Sequence, residues 1–252
     1  MKSALITGIN GQDGSYLAEF LVEKGYDVHG TIKRNSIPEN QTARIQHLYP
    51  VIKNNLYHAD MCDMSSLFSV VQRVQPNEIY NLAAQSHVRV SFDQPIYTLD
   101  TIGRGTLNLL ETVRLLDVDT KIYQASSSEM FGNSIDDDGF QRETTPMNPV
   151  SPYACAKLLA YNLINCYRES YDIFASNGIL FNHESPRRGA SFVTNKIVIG
   201  AVKIKKGLAD NLALGNLDST RDWGHAKDYV KIMWQLLQLD EPGDYVCATG
   251  KA

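Results

Sequence analysis

Long hydrophobic runs are missing from this sequence. No stretch approaches the roughly 20 consecutive apolar residues needed to cross a bilayer, so no spanning helix is expected. The opening Met1-Lys2-Ser3-Ala4-Leu5-Ile6-Thr7-Gly8 has neither the long apolar segment nor the small-residue cleavage site of a secretory signal. Cysteine is sparse as well. The four present, Cys62, Cys155, Cys166 and Cys247, are scattered without Cys-x-x-Cys spacing, which argues for reduced thiols in a cytoplasmic protein and against a disulfide framework. Six histidines show no paired ligand spacing, so no metal site is expected. Positive charge is not in excess either: 24 Lys and Arg against 28 Asp and Glu give a net charge of −4, with no footprint for a nucleic acid. Repeats and low-complexity segments are absent, and Asp136-Asp137-Asp138-Gly139 reads as a short solvated acidic loop.

What is present suits a folded domain. With 43% hydrophobic and 21% charged residues among 252, the chain can form one large α/β domain or a domain and a half. Residues 2–7 are rich in strand formers and run directly into Gly8-Ile9-Asn10-Gly11-Gln12-Asp13-Gly14. A helical pattern follows, with Tyr16, Leu17, Phe20 and Leu21 on one face and Gly25 as the stop. Strand, glycine loop and helix open a dinucleotide-binding unit, in which loop backbone and helix N-terminus approach a pyrophosphate. The spacing is G-x-x-G-x-x-G rather than G-x-G-x-x-G. The second strand, 27–32, ends in Lys33-Arg34. At this position a carboxylate would accept from a ribose 2′-hydroxyl, whereas basic residues accommodate a 2′-phosphate. No carboxylate stands beside Lys33 and Arg34 in the sequence, which favours NADP.

Further strands are expected at 55–60, with Asp60 at the carboxyl end near an adenine, and at 78–84, where Leu82-Ala83-Ala84 lets backbone come close to a ligand and Gln85-Ser86-His87 follow at the mouth. Strands at 120–125, 172–181 and 244–248 are also expected, separated by helices at 65–74, 97–116, 152–170, 193–206 and 226–239. Alternating strands and helices with short connections specify an α/β fold, a Rossmann-type doubly wound parallel sheet. The division expected is a cofactor-binding domain at 1–181 carrying the catalytic residues, and a partial, C-terminally truncated substrate-binding region at 182–252 interleaved with it.

The chemistry is expected between Ser126 and Lys157. Ser126-Ser127-Ser128-Glu129 leave a strand at the end where such sheets bind ligands. Tyr153 and Lys157 stand four apart and share one helical face. An ammonium beside a phenol favours its anion and brings it within reach of a proton-accepting role.

Several separated motifs resemble one family. Gly8-Ile9-Asn10-Gly11-Gln12-Asp13-Gly14-Ser15-Tyr16-Leu17-Ala18-Glu19, Leu82-Ala83-Ala84-Gln85-Ser86, Phe181-Asn182-His183-Glu184-Ser185-Pro186-Arg187-Arg188-Gly189, and Leu214-Gly215-Asn216-Leu217-Asp218 through Arg221-Asp222-Trp223-Gly224-His225-Ala226-Lys227-Asp228-Tyr229 are similar to those of the GDP-mannose 4,6-dehydratases, extended members of the short-chain dehydrogenase/reductase superfamily. The resemblance implies NADP-dependent conversion of GDP-mannose to GDP-4-keto-6-deoxymannose. It implies catalytic roles for Ser127, Glu129, Tyr153 and Lys157: Tyr153 accepts the proton of the sugar 4-hydroxyl, Lys157 binds the nicotinamide ribose and lowers the tyrosine pKa, and Glu129 removes the C5 proton and assists loss of the 6-hydroxyl. Ser127 stands where the family usually has threonine, and both supply a hydroxyl.

Cofactor contacts implied are Gly8, Asn10, Gly11, Gln12, Asp13, Gly14, Lys33, Arg34, Asp60, Met61, Leu82, Ala83, Ala84, Gln85, Ser86, Tyr97, Tyr153, Lys157, His183 and Arg188. Substrate contacts implied are Ser86, Ser127, Glu129, Asn182, Val193, Lys196 and Arg221. A homodimer or homotetramer is also implied, with the basic loop around Arg34–Ser36 and Arg188 reaching a neighbour's cofactor site. Asn195 replaces a residue usually basic in the family, and relatives continue past the equivalent of Gly250. Two alternatives stay open on these residues: another sugar-nucleotide dehydratase or epimerase, or a non-catalytic NADP-binding subunit.

Overall fold

The computed structural model describes residues 1–36 and 41–252. A seven-stranded sheet runs in the order β3-β2-β1-β4-β5-β6-β9, formed by β1 (Ser3–Thr7), β2 (Asp27–Ile32), β3 (Leu56–His58), β4 (Glu78–Asn81), β5 (Lys121–Ser127), β6 (Ala175–Leu180) and β9 (Asp244–Cys247). Every pairing in it is parallel. Parallel strands need covered faces and read as continuous apolar runs. Ala4, Leu5 and Ile6 show why: all are buried, with Ala4 and Ile6 in the core on one side and Leu5 in the core on the other.

The first side is closed by α1 (Gln12–Glu23) and α9 (Ala226–Leu236), through Leu17 and Leu21 against Tyr229, Val230 and Met233. The second is closed by α3 (Met64–Val74), α6 (Gly105–Leu116) and α7 (Pro152–Tyr171), through Val71, Leu110 and Ile164. Strand order reverses between β1 and β4, and the crevice beyond the carboxyl ends of those two strands is where such sheets take ligands.

Several elements depart from the sequence expectation. The chain between β2 and β3 is helical over 43–55, including α2 (Tyr49–Ile52). The helix expected at 97–116 is divided into α5 (Pro95–Leu99), a π-helical turn at Asp100–Arg104, and α6, and it is preceded by a further short helix, α4 (Val88–Asp93). Pro95 explains the break, because proline cannot donate to a continuing helix from α4. Beyond β6, β7 (Asn182–Glu184) pairs in parallel with β8 (Trp223–His225). The sequence around β8 reads as loop because it is short and carries a central glycine. The remaining helix, α8 (Val193–Lys205), has no buried residue. Among the described residues, no helix is long and apolar enough to cross a membrane.

Candidate active site

Thr7, at the end of β1, fastens the two ligand-facing loops to one another. Its hydroxyl donates to Asn81 Oδ1 at 2.8 Å and accepts from the N–H groups of Leu82 and Ala83 at 3.0 and 3.1 Å. The chain then turns through Gly8 at φ +68°, where a Cβ would stand 3.1 Å from the Ala83 backbone. At Gly14 a Cβ would lie 2.5 Å from the carbonyl oxygen of Gly8, so α1 begins flush against the loop. The N-cap of α1 is Gly11, with no side-chain cap, which leaves first-turn N–H groups to an anion.

These features border a cavity of about 420 Å³. Gly8, Asn10, Gly11, Gln12, Asp13 and Gly14 form its floor, Lys33, Asp60, Met61 and Tyr97 one end, and Leu82, Ala83, Ala84, Ser86 and Arg188 the side toward a second cavity. The glycine floor and the Lys33 end fit a dinucleotide. Arg34 and Gln85 do not line it. Gln85 instead donates to Thr98 Oγ1 and His87 O and accepts from the His87 N–H.

Lys33 does have a carboxylate beside it in space. Its Nζ lies 2.9 Å from Asp60 Oδ2 and donates to the Tyr97 hydroxyl at 3.0 Å. Adjacent parallel strands bring this about: Ile32 pairs with His58, so the residues just past each strand end meet. Burial works against the Lys33 ammonium, but the hydrogen bonds and charges of Asp60 and Tyr97 together outweigh it and the amine is raised. Arg34 is exposed.

The second cavity, also about 420 Å³, is lined by Ser127, Glu129, Tyr153 and Lys157 together. Their convergence has local causes. β5 ends at Ser127, whose Oγ caps the following turn by accepting from the Glu129 N–H at 3.2 Å. Ser151 caps α7 by accepting from the Ala154 N–H at 3.1 Å, with Pro152 in the first turn. That cap sets the rotation of α7 and thus the direction of Tyr153.

Lys157 is held by backbone. Its Nζ donates to the Ala125 carbonyl at 2.5 Å and stands 5.8 Å from the centroid of the Tyr153 ring. Burial lowers the ammonium to about 8. Tyr153 is not lowered: burial pushes the phenol up to about 12, with the Ser127 hydroxyl opposing and the Glu129 carboxylate adding to the rise. Helical spacing puts the two groups on one face but carries no information on desolvation, which dominates at the phenol.

His183 has both ring nitrogens committed inside the protein. Nε2 lies 2.9 Å from Asp13 Oδ2 and Nδ1 lies 2.8 Å from the Phe181 carbonyl. Two acceptors are satisfied together only by the doubly protonated ring. Burial disfavours that cation, yet Asp13 and the Phe181 carbonyl together outweigh burial and His183 is raised; at Asp13 burial is likewise outweighed, by His183, Gln12 and Arg188 together, and the carboxyl is lowered. His183 thus ties α1 to β7, with the ring stacked on Tyr229 at 4.4 Å, and it lines the second cavity described above. Arg188 lines both cavities, its Nε buried without a hydrogen-bond partner and its guanidinium 3.8 Å from the Phe192 ring centroid. The Glu184 carboxylate is near that Nε, at 3.2 Å, but off the N–H direction.

On the sugar-nucleotide side, Ser86, Asn182, Val193 and Lys196 line the second cavity. Arg221 does not; it is exposed and donates to its neighbour's carbonyl, Thr220 O, at 2.8 Å. Asn195 donates to the Arg188 carbonyl at 2.7 Å, holding the start of α8 against the arginine loop.

The model of the GDP-mannose 4,6 dehydratase family matches residues 5–252. The GDP-mannose 4,6-dehydratase of Yersinia enterocolitica is 58% identical over 258 aligned positions, covering 100% of this chain and 68% of that protein. The GDP-mannose 4,6 dehydratase of Homo sapiens is 54% identical, covering 98% of this chain and 68% of its own length. The chain belongs to the GDP-mannose 4,6-dehydratase family.

Solved structures place this dehydratase-family chain in a wider group of folds. It superposes on the Thermus thermophilus UDP-glucose 4-epimerase, a complex with NAD, with a TM-score of 0.83 at 25% identity, over 99% of this chain and 78% of that one. RMD from Pseudomonas aeruginosa, complexed with NADPH, gives 0.82 at 23% identity, over 100% and 79%.

Some lining residues of the family site escaped the sequence reading. Thr31, Gln41 and Thr101 border the first cavity, and Phe192 and Trp223 the second. Trp223 stands inside a quoted motif, and an aromatic in a polar loop was a usable signal; the buried threonines carry none, because they are read as ordinary strand or helix residues.

Proposed function

We propose that the chain is an NADP-dependent dehydratase that converts GDP-mannose to GDP-4-keto-6-deoxymannose. The observation that carries this is the gathering of Ser127, Glu129, Tyr153 and Lys157 around one cavity in a chain of this family. The smaller division goes with it: residues 1–181 hold the cofactor and reacting groups, and residues 182–252 are interleaved with them, giving the sugar-nucleotide side through 182–225 and returning to the sheet with α9 and β9. NADP, held by Gly8–Gly14 and Lys33, would supply the redox chemistry, storing as hydride the hydrogen lost at C4 until C6 is reduced.

The protein's own groups handle the protons. Tyr153 takes the proton of the 4-hydroxyl as C4 becomes a ketone, with Ser127 donating to the C4 oxygen. The ketone acidifies the C5 hydrogen, and Glu129 removes it; the same carboxylic acid then protonates the 6-hydroxyl, which departs as water. The proton that Tyr153 took from the 4-hydroxyl then restores C5, so that with C6 reduced the product is complete and both side chains are as they began. Lys157 holds its ammonium beneath Tyr153, anchored by the Ala125 carbonyl. Arg188, shared by both cavities, is placed to meet phosphate oxygens of either nucleotide.

We extend the proposal to a homo-oligomer in the cytoplasm. Phe92, Ile96, Leu99 and Leu159 are exposed apolar side chains on α4, α5 and α7, helices packed on one another, and such a patch suits self-association.

The test is incubation of the purified chain with NADP and GDP-mannose, scored for a 4-keto product. The same assay with UDP- and dTDP-sugars distinguishes a related dehydratase or epimerase. NADP binding by a folded chain that yields no keto product from any of these sugars overturns the enzymatic reading and leaves a cofactor-binding protein.

A further inference from the structure

Asp222 is buried, at 7% exposure, between two residues that are not: Arg221 is exposed and Trp223 is 42% exposed. Its carboxylate points away from the cavity into the turn after β9. There it accepts from the N–H of Thr249 at 3.1 and 3.0 Å, of Gly250 at 2.7 Å and of Lys251 at 3.2 Å. Three successive amides converge because Gly250 stands at φ +74°, making a backbone nest of the kind that holds an anion.

The clasp closes a ring of structure. β9 pairs with β6, and β6 leads through Phe181 into β7. Phe181 donates its N–H to the Cys247 carbonyl at 2.9 Å. β7 pairs with β8, which begins at Trp223, and the Asp222 carboxylate returns the chain to the end of β9. β8 has three residues with Gly224 in the middle, so its own ladder fixes its first residue weakly. Burial does not fix it either, since Trp223 is half-exposed and lines the Glu129-containing cavity.

We propose that Asp222 is a positioning residue for the sugar-nucleotide side of the site, holding Trp223 against the substrate through the turn Thr249–Lys251. The inference rests on the reading above that GDP-mannose occupies the cavity of Glu129 and Tyr153. It is not a cofactor device, because neither Asp222 nor the turn lines the glycine-loop cavity.

Calorimetric titration of the wild-type chain and Asp222→Asn with GDP-mannose and, separately, with NADP tests it. In parallel, acrylamide quenching is read in a Trp234→Phe background, where Trp223 is the remaining tryptophan of the two in the chain. The expected result is GDP-mannose affinity reduced about tenfold or more, unchanged NADP affinity, and readier quenching of Trp223. Equal weakening of both ligands, as from general loosening, overturns the proposal, and so does unchanged GDP-mannose binding. If Asp222→Asn does not fold, a chain ending at Ala248 removes the three donors while keeping Asp222, and the same split is expected. If the wild-type chain does not bind GDP-mannose, the functional reading fails. Quenching then decides alone: an increase supports the clasp and no change overturns it.

Discussion

The two walls of the site are built by different means. The wall around the glycine loop is braced by buried groups: Thr7 bonds the loop of β1 to that of β4, Gly14 touches loop backbone, and the Asp13–His183 pair fastens α1 to β7. The wall made by residues 182–225 depends on a parallel pair of three-residue strands and on α8, none of whose residues is buried. The first is a preorganised cradle. The second presents Val193, Ile197, Val198, Val202 and Ile204 at 40–60% exposure. The reacting groups lie on the seam, carried by β5 and α7 but opening into the cavity of the second wall. A cofactor held for every turnover gains from rigidity. A sugar nucleotide that must enter and leave is met by the less fastened side.

The largest effect should come from breaking the seam alone. Tyr153→Phe removes the phenolic hydroxyl while keeping the buried ring, and turnover of GDP-mannose should fall about 10³-fold. NADP affinity, measured by titration, should stay near wild type, because the braced wall is untouched. Undiminished turnover would remove Tyr153 from the proton-accepting role.

Next in size is a paired glycine test of the two walls. Gly14→Ala places a methyl group 2.5 Å from the Gly8 oxygen and 2.8 Å from Ile9 Cα, backbone atoms that cannot rotate aside. A stability loss of about 3 kcal/mol by denaturant unfolding is expected, with NADP affinity falling alongside. Gly215→Ala, in the second wall, meets nothing within 4 Å, and should stay within about 0.5 kcal/mol of wild type. Equal losses at the two positions would erase the contrast.

Lys157 gives a smaller effect with a pH signature. Burial lowers it to about 8, below its range in an unfolded chain, so the unfolded state binds the extra proton between about pH 8 and 10.5. Folding therefore carries its full penalty below pH 8, on the order of 3 kcal/mol, and stability rises with pH through that window. Lys157→Met removes the penalty but leaves the Ala125 carbonyl without its donor, a cost of about 1 kcal/mol. The variant should be the more stable chain at pH 7 by about 1–2 kcal/mol, with that advantage gone by about pH 10.5, while turnover is lost. Thermal unfolding across pH checks the sign.

The sequence made the braced wall legible because its physics is local. Gly8, Gly11 and Gly14 must lie between a strand and a helix to be useful, and that order is visible in the residues. The gathering of Ser127, Glu129, Tyr153 and Lys157 came from motif resemblance together with i, i+4 spacing. Pairings between distant segments were not legible. Lys33 meets Asp60 only because β2 and β3 end level, and His183 meets Asp13 only because β7 passes the start of α1. The Tyr153 phenol rises rather than falls because burial is a property of the assembled core. The β8 segment reads as loop because three residues with a central glycine carry no alternating pattern.

The smallest expected effect sharpens the comparison most directly, because it repeats one kind of deletion on each wall. Val198 on α8 is 60% exposed and Leu17 on α1 is 0% exposed. Leu17→Ala should cost about 3 kcal/mol, from lost burial and the cavity left between α1 and α9. Val198→Ala gives up little buried area and replaces a β-branched residue by the best helix former, so the two contributions nearly cancel and stability should change by less than about 0.5 kcal/mol. Denaturant unfolding of both variants reads the difference. A loss at Val198 approaching that at Leu17 would mean that α8 is covered in solution, and that the second wall is as firmly packed as the first.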